Sequence, residues 1–419
     1  MQSIFIAVAI LGASYFLFAK REFDILSVGY ASALVYFSPG FTGEVLFPME
    51  HSQFIGYRVA IHAETYLVMT VVLIAIAVAT ILFDMSNNRS VPTFHLSGTS
   101  SFPKIAIGYT YLGMVMTWVV LGVDVMTSPD KNHILEEFTR WSILWTSGSV
   151  IAFTLAFEQR RVPLILISAI PLMVEIYAGF RSSIAIAIIA VACLWLNRQG
   201  ETRLLVKQWR VLLIGAAATL FLFVYKLLFS AVKAGDWELI SELIMNPALY
   251  SNAFLNSEPF LTQSILNEVV REDFQVGLTH FAATPLSFLL FAPELGWILP
   301  TFNDLVQAQL FPNLADSGIA ANIWAEMLSA GGWPLLLLFI SIFALCLCWG
   351  SYLIRVRDPV LRSGIVAMFC FLAFYAHRNE LQFQVTLEKR TLLFFALCWL
   401  TCRISPKLGA KLPILRRAI

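Results

Sequence analysis

The sequence predicts an all-α protein that crosses a membrane many times, and three observations support this. Of 419 residues, 58% are hydrophobic. Only 13% are charged, whereas about a quarter of the residues in a soluble domain carry charge. The apolar residues are also gathered into runs close to the length of a membrane span, which is about 20 residues or slightly fewer. Lipid is therefore the expected solvent for most of the chain.

Eleven apolar runs are read as transmembrane helices. They cover residues 3–19, 24–40, 62–83, 105–125, 141–157, 162–178, 183–197, 211–230, 333–354, 363–377 and 390–404. All six cysteines fall inside apolar runs and none has the spacing of a metal-binding motif, which favours packing roles. The sequence therefore predicts about eleven spans and no metal site.

Basic residues fix the expected orientation, because they are found mainly in cytoplasmic loops. With eleven spans, alternate loops place 18 of the 28 basic residues and 6 of the 27 acidic residues on one side. The other side holds the remaining 10 basic and 21 acidic residues. The prediction is a multi-pass membrane protein with its N-terminus outside the cytoplasm and its C-terminus in the cytoplasm.

One long polar segment divides the chain into three parts. An N-terminal bundle of about eight spans covers residues 1–230, an extracytoplasmic loop covers 231–332, and three further spans with a basic tail cover 333–419. Within the loop, Ser257-Glu258-Pro259 is typical of a helix start, since proline is favoured in the first turn. Asp316 or Ser317 can cap a last helix that Gly331-Gly332 ends, and this helix would present Asn322 and Glu326 above the membrane.

Basic residues recur where helices meet the outer side. Arg181 follows a tight turn in which Gly179 supplies the special backbone geometry, and Lys226, Arg378 and Arg390 lie at other helix mouths. Guanidinium groups bind phosphates through two parallel hydrogen bonds. Carboxylates on the loop above could accept a proton from a sugar hydroxyl. This pattern favours glycosyl transfer from a lipid-linked donor, and no nucleotide-binding loop, zinc motif or nucleophile elbow is present.

Three short motifs resemble those of the Wzy-type O-antigen polymerases of bacterial inner membranes. The first is Gly179-Phe-Arg181-Ser-Ser. The second comprises Asn256-Ser-Glu258-Pro-Phe and Ser317-Gly-Ile-Ala-Ala-Asn322-Ile-Trp-Ala-Glu326 in the long loop. The third is Tyr375-Ala-His377-Arg378-Asn-Glu380 near the end of the chain.

The resemblance implies a metal-independent glycosyltransferase of the GT-C class, with no cofactor, that joins undecaprenyl-diphosphate-linked oligosaccharide repeats. It implies that Arg181 and Arg378 stabilise the departing diphosphate, helped by Arg390 or Lys226, and that Glu258 or Glu326 is the base. Residues that would bind the substrate are Arg271, Asn322, His377 and Glu380. The expected partners are the lipid-linked oligosaccharide, membrane lipids and a chain-length-regulating membrane protein, but not nucleic acid.

Three alternatives remain open from the sequence. An O-antigen ligase, which transfers glycan to the lipid A core, would be expected to depend on an outer histidine, for which His280 and His377 are the candidates. A lipid-oligosaccharide transporter would carry charges along a path within its spans, whereas here the charges gather at helix ends and in one loop. A non-enzymatic scaffold is the third alternative.

Overall fold

The computed structural model describes residues 1–48, 56–86, 94, 96, 101–128, 140–199, 207–246, 250, 254, 257–289, 300–314 and 320–411, and helices form most of these. The main helices are α1 (Gln2–Ser14), α2 (Ile25–Tyr36), α3 (Ala63–Met85), α4 (Phe102–Leu121), α5 (Trp141–Glu158), α6 (Val162–Tyr177), α7 (Ser182–Gln199), α8 (Trp209–Ala234), α9 (Trp237–Met245), α10 (Glu258–Arg271), α11 (Phe302–Leu310), α12 (Ile323–Leu353), α13 (Pro359–Tyr375) and α14 (Leu381–Lys411). Shorter helical segments are Tyr15–Ala19, Pro39–Thr42, Val123–Thr127, Leu278–Ala282, Ala283–Ser287 and Pro312–Leu314.

The architecture is that of an all-α membrane protein. Among the described residues, five helical segments are long and apolar enough to cross a membrane, namely Gln2–Ala19, α3, α4, α7 and α12, and the bent helix α8 would be a sixth. Helices α2, α6 and α13 are apolar but shorter. Many large apolar side chains point outward, such as Val119 and Ile214, which are 70% and 68% exposed. Each of the eleven predicted runs contains a helix, so the helical prediction is confirmed.

Within the described residues, a two-stranded hairpin departs from the helical prediction. Strand β1 (Glu44–Pro48) pairs antiparallel with β2 (Gly56–Ala60), with Val45 opposite Val59 and Phe47 opposite Tyr57. β-branched and aromatic residues favour such cross-strand pairs. The Ser264 hydroxyl of α10 donates to the carbonyl of Leu46. The hairpin thus holds one side of α10.

Helix α12 consists of two arms that fold back on each other. Its backbone leaves helical geometry at Gly331 and Gly332, and Gly332 has a φ of 65°. A straight helix would separate Trp324 from Phe343 by about 28 Å, yet their ring centroids are 5.5 Å apart. The prediction that the glycine pair ends a helix is confirmed, and the first arm, residues 323–330, packs against the second, residues 333–353.

The first arm of α12 begins at a different cap from the predicted one. Asn322 caps it, because its side-chain oxygen accepts hydrogen bonds from the backbone N–H groups of Trp324 and Ala325. Asp316 and Ser317, the predicted caps, lie outside the described residues. The prediction that this arm presents Asn322 and Glu326 to the surface is wrong, since they are 0% and 2% exposed.

Helix α14 begins nine residues earlier than the apolar pattern indicates. Its first residue is Leu381, whose backbone N–H donates to Glu326 Oε2 over 2.6 Å. Arg390 was predicted at the mouth of a span, but it lies about 14 Å along this helix from Leu381. Arg390 is therefore a residue of the helix interior and not of the helix end that carries Arg378.

Candidate functional site

Two of the predicted arginines and one predicted carboxylate meet at a single position, which we call the arginine site. Arg378 Nη2 lies 3.1 Å from Glu258 Oε1. Arg181 is close enough for the charges of Glu258 and Arg378 to affect its pKa. The Arg378 side chain is 28% exposed and that of Glu258 is 35% exposed. The site is therefore accessible from outside the protein.

Local structure explains how these three side chains come together. Gly179, with a φ of 91°, makes the tight turn between α6 and α7 as predicted, and this turn places Arg181 beside α8. Arg181 Nη1 donates to the carbonyl of Leu222 over 3.3 Å. Arg378 follows the end of α13 and lies over the ring of Tyr375, 5.4 Å from its centroid. Glu258 is the first residue of α10, whose predicted start is confirmed.

The two arginines differ in their electrostatic environment. For Arg378, burial opposes the charge, but Glu258 and the neighbouring tyrosines Tyr36 and Tyr375 more than compensate and raise its pKa. For Arg181, burial and the positive charge of Arg378 outweigh Glu258 and lower its pKa. Among the described residues, Arg181 has no carboxylate within ion-pair distance. An anion at this site would therefore be attracted by a cation that lacks a direct counterion.

A second group of predicted residues forms a separate buried cluster, which we call the carboxylate cluster. His280 Nε2 lies 2.8 Å from Glu326 Oε1, and the other oxygen of Glu326 accepts from the first N–H of α14. Glu380 Oε2 accepts from the backbone N–H of Asn303 over 2.8 Å, at the start of α11. The side chains of His280 and Glu326 are only 5% and 2% exposed. Glu326 and Glu380 thus stabilise helix starts.

The contacts of His280 indicate its protonation state. Its Nδ1 lies 2.9 Å from the carbonyl of Gly277, and its Nε2 faces the Glu326 carboxylate. A carbonyl accepts hydrogen bonds and so does a carboxylate, so this arrangement favours the charged imidazole, which has two N–H donors. Burial opposes this charge, but the hydrogen bonds to Glu326 and Gly277 outweigh burial and raise the pKa of His280.

Stability is expected to depend on pH through this cluster. Burial raises the pKa of Glu380 to about 7, and the nearby charges of Glu326 and Asp304 add to the rise. Because the folded-state pKa values of Glu380 and His280 exceed the unfolded ones, the folded protein binds more protons. We expect the thermal unfolding midpoint of the purified protein to fall as pH rises from about 5 to 8. Over this pH range, Glu380 alone is expected to lower the free energy of unfolding by on the order of 3 kcal/mol.

Neutral variants test this expectation. Glu380→Gln and His280→Gln should each flatten the dependence of the unfolding midpoint on pH, because the replaced group no longer titrates. Glu242→Gln, on the exposed face of α9, should leave it unchanged. An unchanged slope in the double variant would show that these two residues do not bind the protons concerned.

Two predicted substrate-binding residues lie in the interior. His377 is 0% exposed, and its Nδ1 accepts from Trp324 Nε1 over 3.2 Å. Asn322 caps α12 and also donates to the carbonyl of Thr262. Since neither side chain reaches a surface, the predicted direct contact of either residue with a sugar is not supported. Both are packing and capping residues in this arrangement.

Arg271 and Arg390 lie away from the arginine site. Arg271 is at the opposite end of α10 from Glu258, about 20 Å away, and pairs with Glu268 and Glu272. Arg390 lies within α14, as described above. Lys226 belongs to α8, but its side chain is outside the described residues. Tyr36 and Tyr375, which sequence reasoning did not select, do border the arginine site.

An apolar cavity of about 550 Å³ lies between α12, α13 and α14. Its walls include Phe343, Leu372, Ala376 and Leu381, and it extends along α14 to Leu393. Ala376 is two residues before Arg378, so their Cα atoms are at most about 7 Å apart. Pockets of this size bind small molecules or parts of lipids. One wall of the cavity is therefore only two residues along the chain from Arg378.

The fold and the site together define a class: a helical membrane protein with a cationic, partly exposed site at the ends of its helices. Among the described residues, no group of three or more His, Cys, Asp and Glu side chains could hold a metal ion. Comparison of the chain with protein-family models, with characterised proteins and with solved structures finds no match.

Proposed function

We propose that this protein is a glycosyltransferase of the bacterial inner membrane that polymerises undecaprenyl-diphosphate-linked oligosaccharide repeats on the periplasmic face. The observation that carries the proposal is the convergence of Arg181, Arg378 and Glu258 from three separate parts of the chain. In this proposal the eleven apolar helices all span the membrane in a GT-C-type arrangement. Residues 231–332 are then periplasmic and the C-terminus is cytoplasmic.

The arginine site suits a diphosphate. Arg378 presents a planar donor group to Glu258, one oxygen of which lies 3.1 Å from Nη2. A diphosphate would bind the two arginines more strongly than this carboxylate, because it carries two negative charges where the carboxylate carries one. Arg181 supplies a second cation beside it. The apolar cavity next to Ala376 would hold the start of the polyprenyl chain.

Diphosphate binding also accounts for the role of Glu258. When a phosphate binds Arg378, the Glu258 carboxylate no longer pairs with that guanidinium and can accept a proton. The hydroxyl oxygen of one lipid-linked repeat then attacks the anomeric carbon of the growing chain, and its proton passes to Glu258. The bond between that carbon and the diphosphate breaks, and undecaprenyl diphosphate leaves with its charge stabilised by the two arginines.

The buried histidines favour a polymerase over the ligase alternative. A histidine that acts as a base needs an unprotonated nitrogen with access to substrate. Both nitrogens of His280 face acceptors, and His377 is fully buried with Nδ1 engaged by Trp324. Glu258 is the accessible carboxylate at the cationic site, so it is the better base.

Deletion of the gene in its native host tests the proposal. Loss of a polymerase should leave single repeats attached to the lipid A core, whereas loss of a ligase should leave undecaprenyl-linked polymer. Purified protein should also convert lipid-linked repeats into products that lengthen by one repeat at a time. Long-chain polysaccharide that persists on the core of the deletion strain would overturn the proposal.

A further inference from the structure

A second cavity, of about 300 Å³, lies between the start of α3, the end of α10 and the fold-back of α12, and we call it the Trp333 pocket. Its wall combines three parts of the chain: Glu64 in the first turn of α3, Asp273, Phe274 and Gln275 after α10, and Trp333 just beyond the fold-back of α12. The Val276 N–H donates to the carbonyl of Ser329, which ties the loop to the first arm of α12. The pocket is therefore built by tertiary contacts and not by one loop alone.

The polar groups of this pocket are oriented by one another. Trp333 Nε1 donates to Glu64 Oε1 over 2.7 Å, which fixes the indole ring against the carboxylate. Gln275 Nε2 donates to Asp273 Oδ1 over 3.3 Å. Within the described part of the chain, Glu64 Oε2 and Asp273 Oδ2 have no hydrogen-bond partner. Two carboxylate oxygens are thus available to accept hydrogen bonds from a ligand.

The rest of the lining restricts what that ligand can be. Trp333 and Phe274 supply aromatic surface, which packs against an apolar face of a ligand. An anion is disfavoured by the two carboxylates, and two carboxylates without a third ligand do not make a metal site. A molecule with several hydroxyl donors and one apolar face of C–H groups, such as a sugar ring, satisfies both sets of groups. The volume is at the lower end of the range for ligand pockets, which suits one ring.

We infer that the Trp333 pocket binds one neutral sugar ring, with Glu64 and Asp273 accepting from its hydroxyl groups and Trp333 packing on its face. The assignment of this sugar to the glycan being polymerised rests on the proposed function. Helix α10 separates the pocket from Glu258 by about 20 Å. The bound ring is therefore a remote unit of the glycan, held while its reactive end lies at the arginine site.

Binding of simple glycosides to the purified full-length protein tests the inference without any lipid substrate. The probes are the methyl glycosides of glucose, galactose, mannose and N-acetylglucosamine, detected by saturation-transfer NMR. At least one should bind, and Glu64→Gln or Asp273→Asn should weaken it about five-fold, as expected for one lost hydrogen bond. Trp333→Leu should abolish the signal. Matched controls on the exposed face of α9, Trp237→Leu and Glu242→Gln, should bind normally.

The inference would be overturned if no glycoside binds, or if binding survives in all three pocket variants. It would also be overturned if calcium alone stabilises the protein and Glu64→Gln removes that stabilisation. The last result would make the pocket a cation site. Asp273 is exposed, so the conservative variant Asp273→Asn is expected to fold. Its glycoside binding can be compared with that of the wild type even if Trp333→Leu does not fold. Because glycoside binding is measured without turnover, failure of the polymerase assay and failure of sugar binding are separate outcomes.

Discussion

Replacing Glu258 by glutamine is expected to lower kcat for chain extension by about 10²- to 10⁴-fold, the usual contribution of a general base. The KM for the lipid-linked repeat should stay the same or fall, since Glu258 no longer competes with the diphosphate for Arg378. The measurement is the rate of chain extension by purified protein over a range of lipid-linked repeat concentrations.

The hairpin provides a matched control for Glu258. Glu44 also pairs with an arginine, Arg58, at 3.4 Å, but both side chains are about half exposed. Glu44→Gln should leave both kinetic parameters unchanged. If Glu258→Gln extends chains at the wild-type rate, Glu258 is not the base and the mechanism proposed above is wrong.

Replacing Arg378 by alanine is expected to lower kcat/KM by about 10²- to 10³-fold, as for loss of one group that stabilises a developing negative charge. Arg378→Lys keeps the charge but loses the planar pair of donors, so its activity should be intermediate. The same extension assay measures both variants, with protein levels checked by immunoblot.

Arg58→Ala is the control for this prediction, because it removes an exposed arginine from an ion pair far along the sequence from Arg378. It should retain normal activity. Arg181→Ala should resemble Arg378→Ala if both cations hold the diphosphate. Wild-type kcat/KM in both arginine variants would exclude the diphosphate role.

Local signals in the sequence were sufficient for much of the fold. Apolar runs indicated the helices, Ser257-Glu258-Pro259 indicated the start of α10, and Gly179 indicated a special turn that the structure contains. These features depend on residues close together in the chain. The grouping of Arg181, Arg378 and Glu258 was also expected, because all three were placed at helix ends on the same side.

Other features depended on long-range packing that no local pattern contains. Glu388, Lys389 and Arg390 suggested that the last span starts there, but Glu326 binds the backbone at Leu381 and starts the helix earlier. Glu326 was expected on a surface, yet the fold-back of α12 buries it beside His280. Whether a polar side chain on an amphipathic helix faces water depends on what packs over it.

The fold-back at Gly331 and Gly332 has a consequence for the unfolded chain. A Cβ atom at Gly331 would lie 2.7 Å from Leu335 Cβ, so lack of space requires glycine there, whereas the φ of 65° favours glycine at Gly332. Glycine has the greatest backbone freedom before folding and loses the most when it is ordered. Substitutions that stiffen a flexible chain commonly add about 0.4–1 kcal/mol of stability. Substitution of either glycine therefore cannot add stability in this way. Folding of the turn that joins Glu326 to Trp333 carries the full loss of glycine backbone entropy.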